Sequence, residues 1–246
     1  MSENNPSSFI PEKYRVLSGS ALKLLALVTM FTDHFALIIL SGCPAATQTL
    51  FTIGEVKYSI FQICRDIGRI SFPIFCFLLV EGFLHTGNRL KYGRKLLIFA
   101  LISEIPYNLM YTETLRYKEQ NIFFTLFLGY LAFCALEYFH NKVIIKLLCT
   151  AALLGISILL NGDYGWQGFV LLLIMYIFRF NRTSQAIFGS FWLLPEWPAF
   201  LAFLPINMYN GKRGFVKGKK VKYLFYWFYP VHIMLLVLLR FFLFSP

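Results

Sequence analysis

Long apolar segments recur from residue 22 to residue 243, and short polar or basic stretches separate them. A helix needs roughly 20 apolar residues to cross the hydrocarbon core of a membrane. Segments of this kind lie at 22–41, 66–86, 92–111, 122–140, 143–160, 164–180 and 222–243. The pattern therefore predicts an all-α polytopic integral membrane protein whose spans form a bundle.

One further apolar stretch, 185–210, is interrupted by Pro195, Pro198 and Pro205. Each half is short for a full span, so we expect either two crossings or a re-entrant hairpin buried against protein. With the other spans this gives about 8–9 transmembrane segments.

Lysine and arginine in the loops fix the expected orientation. The basic loops around residues 13–23, 89–95, 142–146 and 179–182 fall on one side if the N-terminus is cytoplasmic, as the positive-inside rule requires. The stretch 211–222 carries six lysines or arginines and joins that side when 185–210 crosses twice or re-enters. We therefore expect a last span that runs outward.

Composition agrees with a membrane protein. The chain has 246 residues, of which 58% are hydrophobic and 14% charged, whereas soluble domains are about one quarter charged. We expect one transmembrane domain over 1–246 with a polar cytoplasmic N-terminus at 1–20, and a retained first span because a basic n-region and a cleavage site are missing before residue 22. The net charge of +11 lies mainly in loops, so we expect no nucleic-acid partner.

Metal binding is not expected. The five cysteines form no C-x-x-C pair, and Glu81 with His85 supplies at most half a site. No other metal ligand stands at a helpful spacing.

Ionisable side chains inside apolar spans are the main candidates for function, because a charged group costs about 2.5–3.5 kcal/mol at a helix centre. On the expected topology, five elements carry polar groups at about the same depth. They are Asp33 and His34; Arg65, Asp66 and Arg69; Glu104 and Asn108; Asn121; and Asp163 with Tyr164. Tyr229 and His232 lie near mid-depth in the last span. A buried ion-pair network and a functional site both fit this pattern, and the histidine favours the site.

Asp33 and His34 are neighbours, yet they point about 100° apart on a helix. Asp33 is expected to pair with Arg65 or Arg69. His34 shares a face with Lys23, eleven residues earlier and about 16 Å away along the axis. A long cofactor with a phosphate-bearing head fits between them, although for Lys23 alone ordinary snorkelling to the interface is the favoured interpretation.

Several motifs occur together and in order: LSGSALKLLALVTMFTDH (17–34), GRISFPIFCFLLVEGFLHT (68–86), ALISEIPYNLM (100–110), NIFFTLFLG (121–129), DYGWQG (163–168), YNGKRG (209–214) and LFYWFYPVHIMLL (224–236). With these motifs the sequence resembles the TraX family. Its best-known member is the inner-membrane protein that acetylates the N-terminus of F-type pilin.

The resemblance extends to a wider group of transmembrane acyltransferases, in which a first helix of the form L-K/R-x-x-A…H ends in the essential histidine. It implies acetyl-CoA as acyl donor, His34 as the general base, and a bacterial cytoplasmic membrane location among lipids. The acceptor is expected to be an exported peptide or a glycan, free or lipid-linked.

On this basis each candidate has an expected role. The cofactor is expected to bind Lys23, Arg65, Arg89, Lys91 and Arg94. Hydrogen bonds to the developing oxyanion are expected from Arg69, Asn108 or Asn121, with Asp33, Asp66 and Glu104 holding these donors. Asp163, Tyr164, Tyr229 and His232 are expected to support the site.

Two other functions stay open on the residues alone. Intramembrane Asp, Glu and His also serve as proton relays, so a proton-coupled transporter or flippase fits the same cluster. A non-catalytic membrane partner of a secretion complex is the third reading.

Overall fold

The computed structural model describes residues 7–112, 114–216 and 218–244, and these are mainly helical. The helices are α1 (Gly19–Ile38), α2 (Pro44–Thr47), α3 (Ile60–Arg69), α4 (Ser71–Leu84), α5 (Arg89–Tyr111), α6 (Ile122–Tyr138), α7 (Val143–Leu160), α8 (Gly165–Ile177), α9 (Arg182–Trp192), α10 (Phe203–Asn207) and α11 (Lys219–Phe244). Short 3-10 segments lie at Glu12–Tyr14, Leu40–Gly42 and Leu194–Ala202. The first six residues of the expected polar N-terminus, and Lys217 of the basic loop, lie outside the described residues.

Four helical stretches are long and apolar enough to cross a membrane: Gly19–Gly42, Ile60–Leu84, Val143–Leu160 and Tyr223–Phe244. Ile122–Tyr138 and Gly165–Ile177 are shorter apolar helices. The helical membrane class is thus confirmed, while the number of 8–9 crossings stays a prediction.

The predicted interruption of 185–210 is confirmed. Helix α9 ends at Trp192, a 3-10 segment follows over Leu194–Ala202, and α10 ends at Asn207. Within the 3-10 segment, Glu196 has non-helical angles (φ −116°, ψ 55°). Whether this segment crosses twice or re-enters stays a prediction.

A small hairpin adds to the predicted helices. Strands β1 (Phe51–Ile53) and β2 (Val56–Tyr58) pair antiparallel, with Phe51 opposite Tyr58. Gly54 in the turn has φ +60°, a conformation that glycine adopts without strain. This hairpin is an addition to the predicted helices and does not change the all-α class.

The chain divides into two compact units. One, here called the core unit, comprises residues 76–189 with Ser7; the other, the split unit, comprises 8–75 and 190–244. Helix α4 begins in the split unit and continues into the core unit. The single domain over 1–246 stays a prediction.

The centre of the core unit is aromatic. Phe83 is 1% exposed, and its ring meets the rings of Tyr130, Phe133 and Tyr176 edge-on at 5.5–5.7 Å. Edge-to-face packing of this kind is favoured by the ring quadrupoles. It joins α4, α6 and α8 into one hydrophobic core.

Helix α7 has the opposite character. It is the most hydrophobic span, with a mean hydropathy of 2.5, yet Ser157 is its one buried residue. An apolar helix with this much exposed surface is unfavourable in water and natural in lipid. The exposure of these apolar side chains therefore supports the membrane assignment.

In the split unit α1 packs most extensively against α3 and also contacts α11. A Cβ atom at Gly68 of α3 would overlap the side chain of Asp33 in α1. Glycine is therefore required at this position for the two helices to approach so closely. The contact places the polar residues of α3 beside Asp33.

Candidate active site

Helix α1 carries its polar side chains in two ways. The hydroxyls of Thr29 and Thr32 donate to carbonyls of their own helix, Leu25 and Val28, at 3.0 Å. Such bonds satisfy a hydroxyl without a neighbouring helix. Asp33 and His34 instead reach to other elements, so they determine the chemistry of this helix.

His34 is 7% exposed and contacts another histidine, His232, which lies in α11. Its Nδ1 lies 2.7 Å from Nε2 of His232, which is 4% exposed. The ring planes are within 15° of each other and their centroids are 4.9 Å apart. The N···N distance is shorter than any contact between stacked ring faces, so the rings lie side by side and are joined by a hydrogen bond.

The far nitrogen of His232 fixes the direction of this bond. Its Nδ1 lies 2.5 Å from the carbonyl oxygen of Phe228, which can only accept, so Nδ1 carries a hydrogen. In a neutral His232 the other nitrogen, Nε2, is then an acceptor, and Nδ1 of His34 is the donor. Nε2 of His34 is left as a bare nitrogen, and it makes no hydrogen bond with the described part of the chain.

Aromatic rings enclose the pair. The edge of Tyr229 faces His34 at 5.8 Å and 70°, and Phe228 stacks on His232 at 4.5 Å. Phe31 of α1 also approaches His232, at 6.0 Å. The pair is therefore held in a largely apolar setting.

Asp33 turns to α3. Its Oδ2 accepts from Nη1 of Arg65 at 2.7 Å, and both side chains are less than one fifth exposed. The predicted pairing of Asp33 with an arginine is confirmed. Asp66 lies on the same helix and accepts from Gln62 Nε2 at 2.7 Å.

Arg69 has a partner that the sequence did not indicate. Its Nη1 lies 3.0 Å from Glu196 of the 3-10 segment Leu194–Ala202. Glu196 lies between Pro195 and Pro198, from which the sequence predicts only an interruption of the apolar stretch. The cost of a charge in an apolar stretch, which singled out the other candidates, also applies to Glu196 and would have found it.

In the core unit, Asn121 connects α5 to α6. Its Nδ2 donates to the carbonyl of Ala100 at 2.7 Å and to Glu104 Oε2 at 2.6 Å, while its Oδ1 caps α6 by accepting from Phe123 N. An amide nitrogen has two hydrogens. Both are therefore occupied in this arrangement.

Asn108, Asp163 and Tyr164 are the other polar candidates of the core unit. Asn108 Nδ2 donates to the carbonyl of Leu115 at 2.8 Å, and its Oδ1 is buried with no hydrogen-bond partner among the described residues. The Asp163 carbonyl accepts from Thr125, and Tyr164 precedes α8 in a left-handed conformation. In the loop before α6, burial raises the pKa of Tyr117, and the charge of Glu119 adds to the rise.

Four of the five basic candidates for cofactor binding lie in the first two turns of a helix, whereas Arg65 lies in the middle of α3 and is paired with Asp33. Lys23, in the second turn of α1, lies 5.9 Å from the ring of Phe225. Arg89 begins α5 and lies over Phe83 at 4.5 Å, and Lys91 and Arg94 follow on the surface. Lys23, Arg89, Lys91 and Arg94 therefore present their cations near the start of a helix, where a phosphate can reach them.

No group of three or more His, Cys, Asp and Glu that could hold a metal occurs among the described residues. Glu81 and His85 interact through the backbone, because His85 Nδ1 lies 2.8 Å from the Glu81 carbonyl. The predicted absence of a metal stays a prediction.

The apolar helices bury a pair of imidazole rings and the ion pair of Asp33 with Arg65. These features define the class as a helical membrane protein with a polar site. The family model described as TraX protein matches residues 18–240, and the chain belongs to the TraX family.

Two relatives extend this finding. The chain is 30% identical over 255 residues to the probable fimbrial assembly protein FimC, serogroup H1, of Dichelobacter nodosus, covering 92% of this chain and 97% of that protein. It is 24% identical over 201 residues to an uncharacterised protein of Rickettsia prowazekii (strain Madrid E), covering 77% and 68%. No solved structure matches the chain.

Proposed function

We propose that this protein is a membrane-embedded acyltransferase that moves an acetyl group from cytoplasmic acetyl-CoA to an exported acceptor, with His34 as general base. Family membership supports the class of reaction. The observation that carries the proposal is the bare Nε2 of His34, in a buried ring whose other nitrogen is already bonded to His232.

A neutral imidazole of this kind suits proton removal from an amine or hydroxyl. As the acceptor attacks the thioester carbonyl, its proton passes to Nε2 of His34. The carbon–sulfur bond then breaks, and the proton on Nε2 goes to the departing thiolate. The donor leaves as free CoA, and His34 returns to its starting state.

Binding of the donor uses the length of α1. Lys23 and His34 lie in one unbroken helix, about 16 Å apart along its axis. A phosphate near Lys23 and a thioester near His34 are therefore compatible with one extended CoA molecule. Arg89, Lys91 and Arg94 are further candidates for the phosphates.

The oxyanion that develops at the carbonyl needs hydrogen-bond donors. Asn121, one of the candidate donors, has both amide hydrogens occupied. Arg69 belongs to the same unit as His34, and its Nη1 lies 3.0 Å from Glu196. We therefore favour Arg69 for this role. Arg65 is more closely held by Asp33.

The acceptor we favour is the N-terminal amine of an exported peptide, because a relative is a probable fimbrial assembly protein. His34 lies four residues before the end of α1. With a cytoplasmic N-terminus, the base would lie nearer the outer side, where an exported acceptor arrives. A glycan hydroxyl is the second candidate acceptor.

Purified full-length protein in lipid nanodiscs, supplied with radiolabelled acetyl-CoA, tests the proposal. Peptides with free and with blocked N-termini, and a glycan, serve as acceptors. We expect label transfer to the free peptide, and a loss of about 10²–10⁴-fold in His34→Ala. His85→Ala, in which an exposed histidine is removed, is the matched control and should retain activity.

Three results would contradict the proposal. Full transfer by a folded His34→Ala variant removes His34 as the base. Absence of acetyl-CoA binding, combined with proton-coupled uptake into proteoliposomes, favours a transporter or flippase. Binding without transfer to any acceptor, unaffected by His34→Ala, favours a non-catalytic partner.

A further inference from the structure

We propose that His232 is a positioning residue that holds His34 in its Nδ1–H tautomer, so that Nε2 of His34 faces the reacting groups as the base. This inference rests on the proposed function for its catalytic consequence. The hydrogen-bond arrangement itself stands on geometry and is testable without activity.

A backbone carbonyl fixes the tautomer of His232. The oxygen of Phe228 accepts from Nδ1 of His232, so the single hydrogen of a neutral His232 lies at that end of the ring. Its Nε2 can then only accept, and it faces Nδ1 of His34 at 2.7 Å. The opposite tautomer of His34 would bring two lone pairs together at this distance.

The ring of His232 is held so that it cannot easily turn away. It is 4% exposed, stacked on Phe228 at 4.5 Å, and its Nδ1 is tied to a carbonyl of its own helix. Pro230 lies inside the same helix, two residues earlier. The orientation of His34 is thus set by α11 and does not depend on a bound substrate.

The other two histidines provide an internal comparison. His85 and His140 place Nδ1 at 2.8 and 3.1 Å from a carbonyl of the preceding turn, as His232 does. Both are exposed, and neither shows a hydrogen bond from its Nε2 to a described residue. The local bond to a carbonyl is therefore common in this chain, and the buried partner at Nε2 is what distinguishes His232.

The arrangement also stabilises the charge that the reaction creates. When Nε2 of His34 takes the proton of the acceptor, the ring becomes a cation with hydrogens on both nitrogens. Its Nδ1–H still donates to His232, whose Nδ1–H still donates to Phe228. The dipoles of the His232 ring and of the Phe228 carbonyl both have their negative ends toward His34, so they favour the cation on that ring. His232 itself takes up no proton. Release of the thiolate returns the proton from Nε2.

Nitrogen NMR on histidine-labelled full-length protein tests the tautomer directly. The chain has four histidines, and the double variant His85→Gln/His140→Gln leaves only the buried pair in the spectrum. We expect Nδ1 protonated and Nε2 bare in both rings, with a scalar coupling across the N–H···N bond. A His34 with its hydrogen on Nε2, or a missing coupling, overturns the proposal whether or not the protein is an acyltransferase.

Two substitutions separate positioning from packing. His232→Gln keeps an amide oxygen that can accept from Nδ1 of His34, whereas His232→Leu fills the space without an acceptor. A wrong tautomer in a serine protease triad costs about 10⁴-fold in kcat. We expect His232→Leu to lose about 10²-fold or more in kcat, with little change in KM, and His232→Gln to stay within about tenfold of the parent.

If both folded variants keep the kcat of the parent protein, His232 has no positioning role. Equal loss in both refutes it as well, because a hydrogen-bond acceptor then gives no rescue. Should His34→Ala itself retain transfer, the base assignment fails, and the spectrum still decides whether the two rings are paired as described.

Discussion

The close approach of α1 and α3 at Gly68 gives a quantitative prediction. In Gly68→Ala the new Cβ would overlap Asp33, and the nearest atom is the Cβ of Asp33 itself. That atom is fixed to the helix backbone and cannot rotate away. Relief therefore requires the two helices to separate, in the region that holds Asp33 against Arg65.

The magnitude follows from two opposing effects. Alanine is preferred to glycine inside a helix by about 0.5–1 kcal/mol. Overpacking in a well-filled interior typically costs about 1–3 kcal/mol. We expect a net loss of about 1–2 kcal/mol. For a chain of this size that lowers the melting temperature by about 2–8 °C.

Thermal unfolding in nanodiscs, followed by tryptophan fluorescence, measures the effect. Gly155→Ala in α7 is the matched control, because a Cβ there meets nothing within 4 Å and the helix gain should stand alone. Asp33→Ala should restore only part of the loss in Gly68→Ala, since it removes the overlap with Oδ1 and Cγ but keeps the obstructing Cβ. A Gly68→Ala protein as stable as Gly155→Ala would show that α1 and α3 accommodate the added Cβ without loss.

Three further predictions rest on single contacts. Arg65→Leu strands the largely buried Asp33 and should lower stability by about 1–3 kcal/mol, with part of the loss recovered in Arg65→Leu/Asp33→Leu; equal losses would count against the pairing. Asn121→Ala removes the α6 cap and the bonds to Ala100 and Glu104, so the melting temperature should fall by about 2–8 °C, for a loss of about 1–2 kcal/mol. A spin label at Leu148, which is 65% exposed in α7, should collide more with oxygen than with a water-soluble nickel complex, in a background without the five native cysteines; the reverse ratio would place α7 away from lipid.

Local sequence rules predict the helices and one ion pair well. The 100° step of a helix separates Asp33 from His34, and it is sufficient to direct Asp33 to an arginine of the next span. Helix boundaries are less exact: α3 begins at Ile60, ahead of the predicted start at 66, because Ser59 caps it by accepting from Gln62 N. A capping serine before an apolar stretch is a signal that the sequence does contain.

The contacts between distant segments cannot be predicted in this way. Polarity inside a span singles out both His34 and His232, but 198 positions separate them, and no local pattern specifies a hydrogen bond between them. The same holds for Arg69 and Glu196. The occupied hydrogens of Asn121 are also invisible in sequence, since they depend on where the Ala100 carbonyl and Glu104 lie. The hairpin at 51–58 is different, because apolar and polar residues alternate on both sides of Gly54, and this alternation is a recognised hairpin signal.

The hydrogen bond from His232 to the carbonyl of Phe228 has a consequence for how this protein varies between species. The last link of the chain belongs to the main chain, so no exchange of the side chain at 228 deletes it. Relatives are free to differ there while retaining the link. An insertion or deletion between 228 and 232 would not delete it either, because the residue four positions before His232 in a continuous helix always offers a carbonyl there. The link therefore depends on His232 and on an unbroken α11, and not on the residue at position 228.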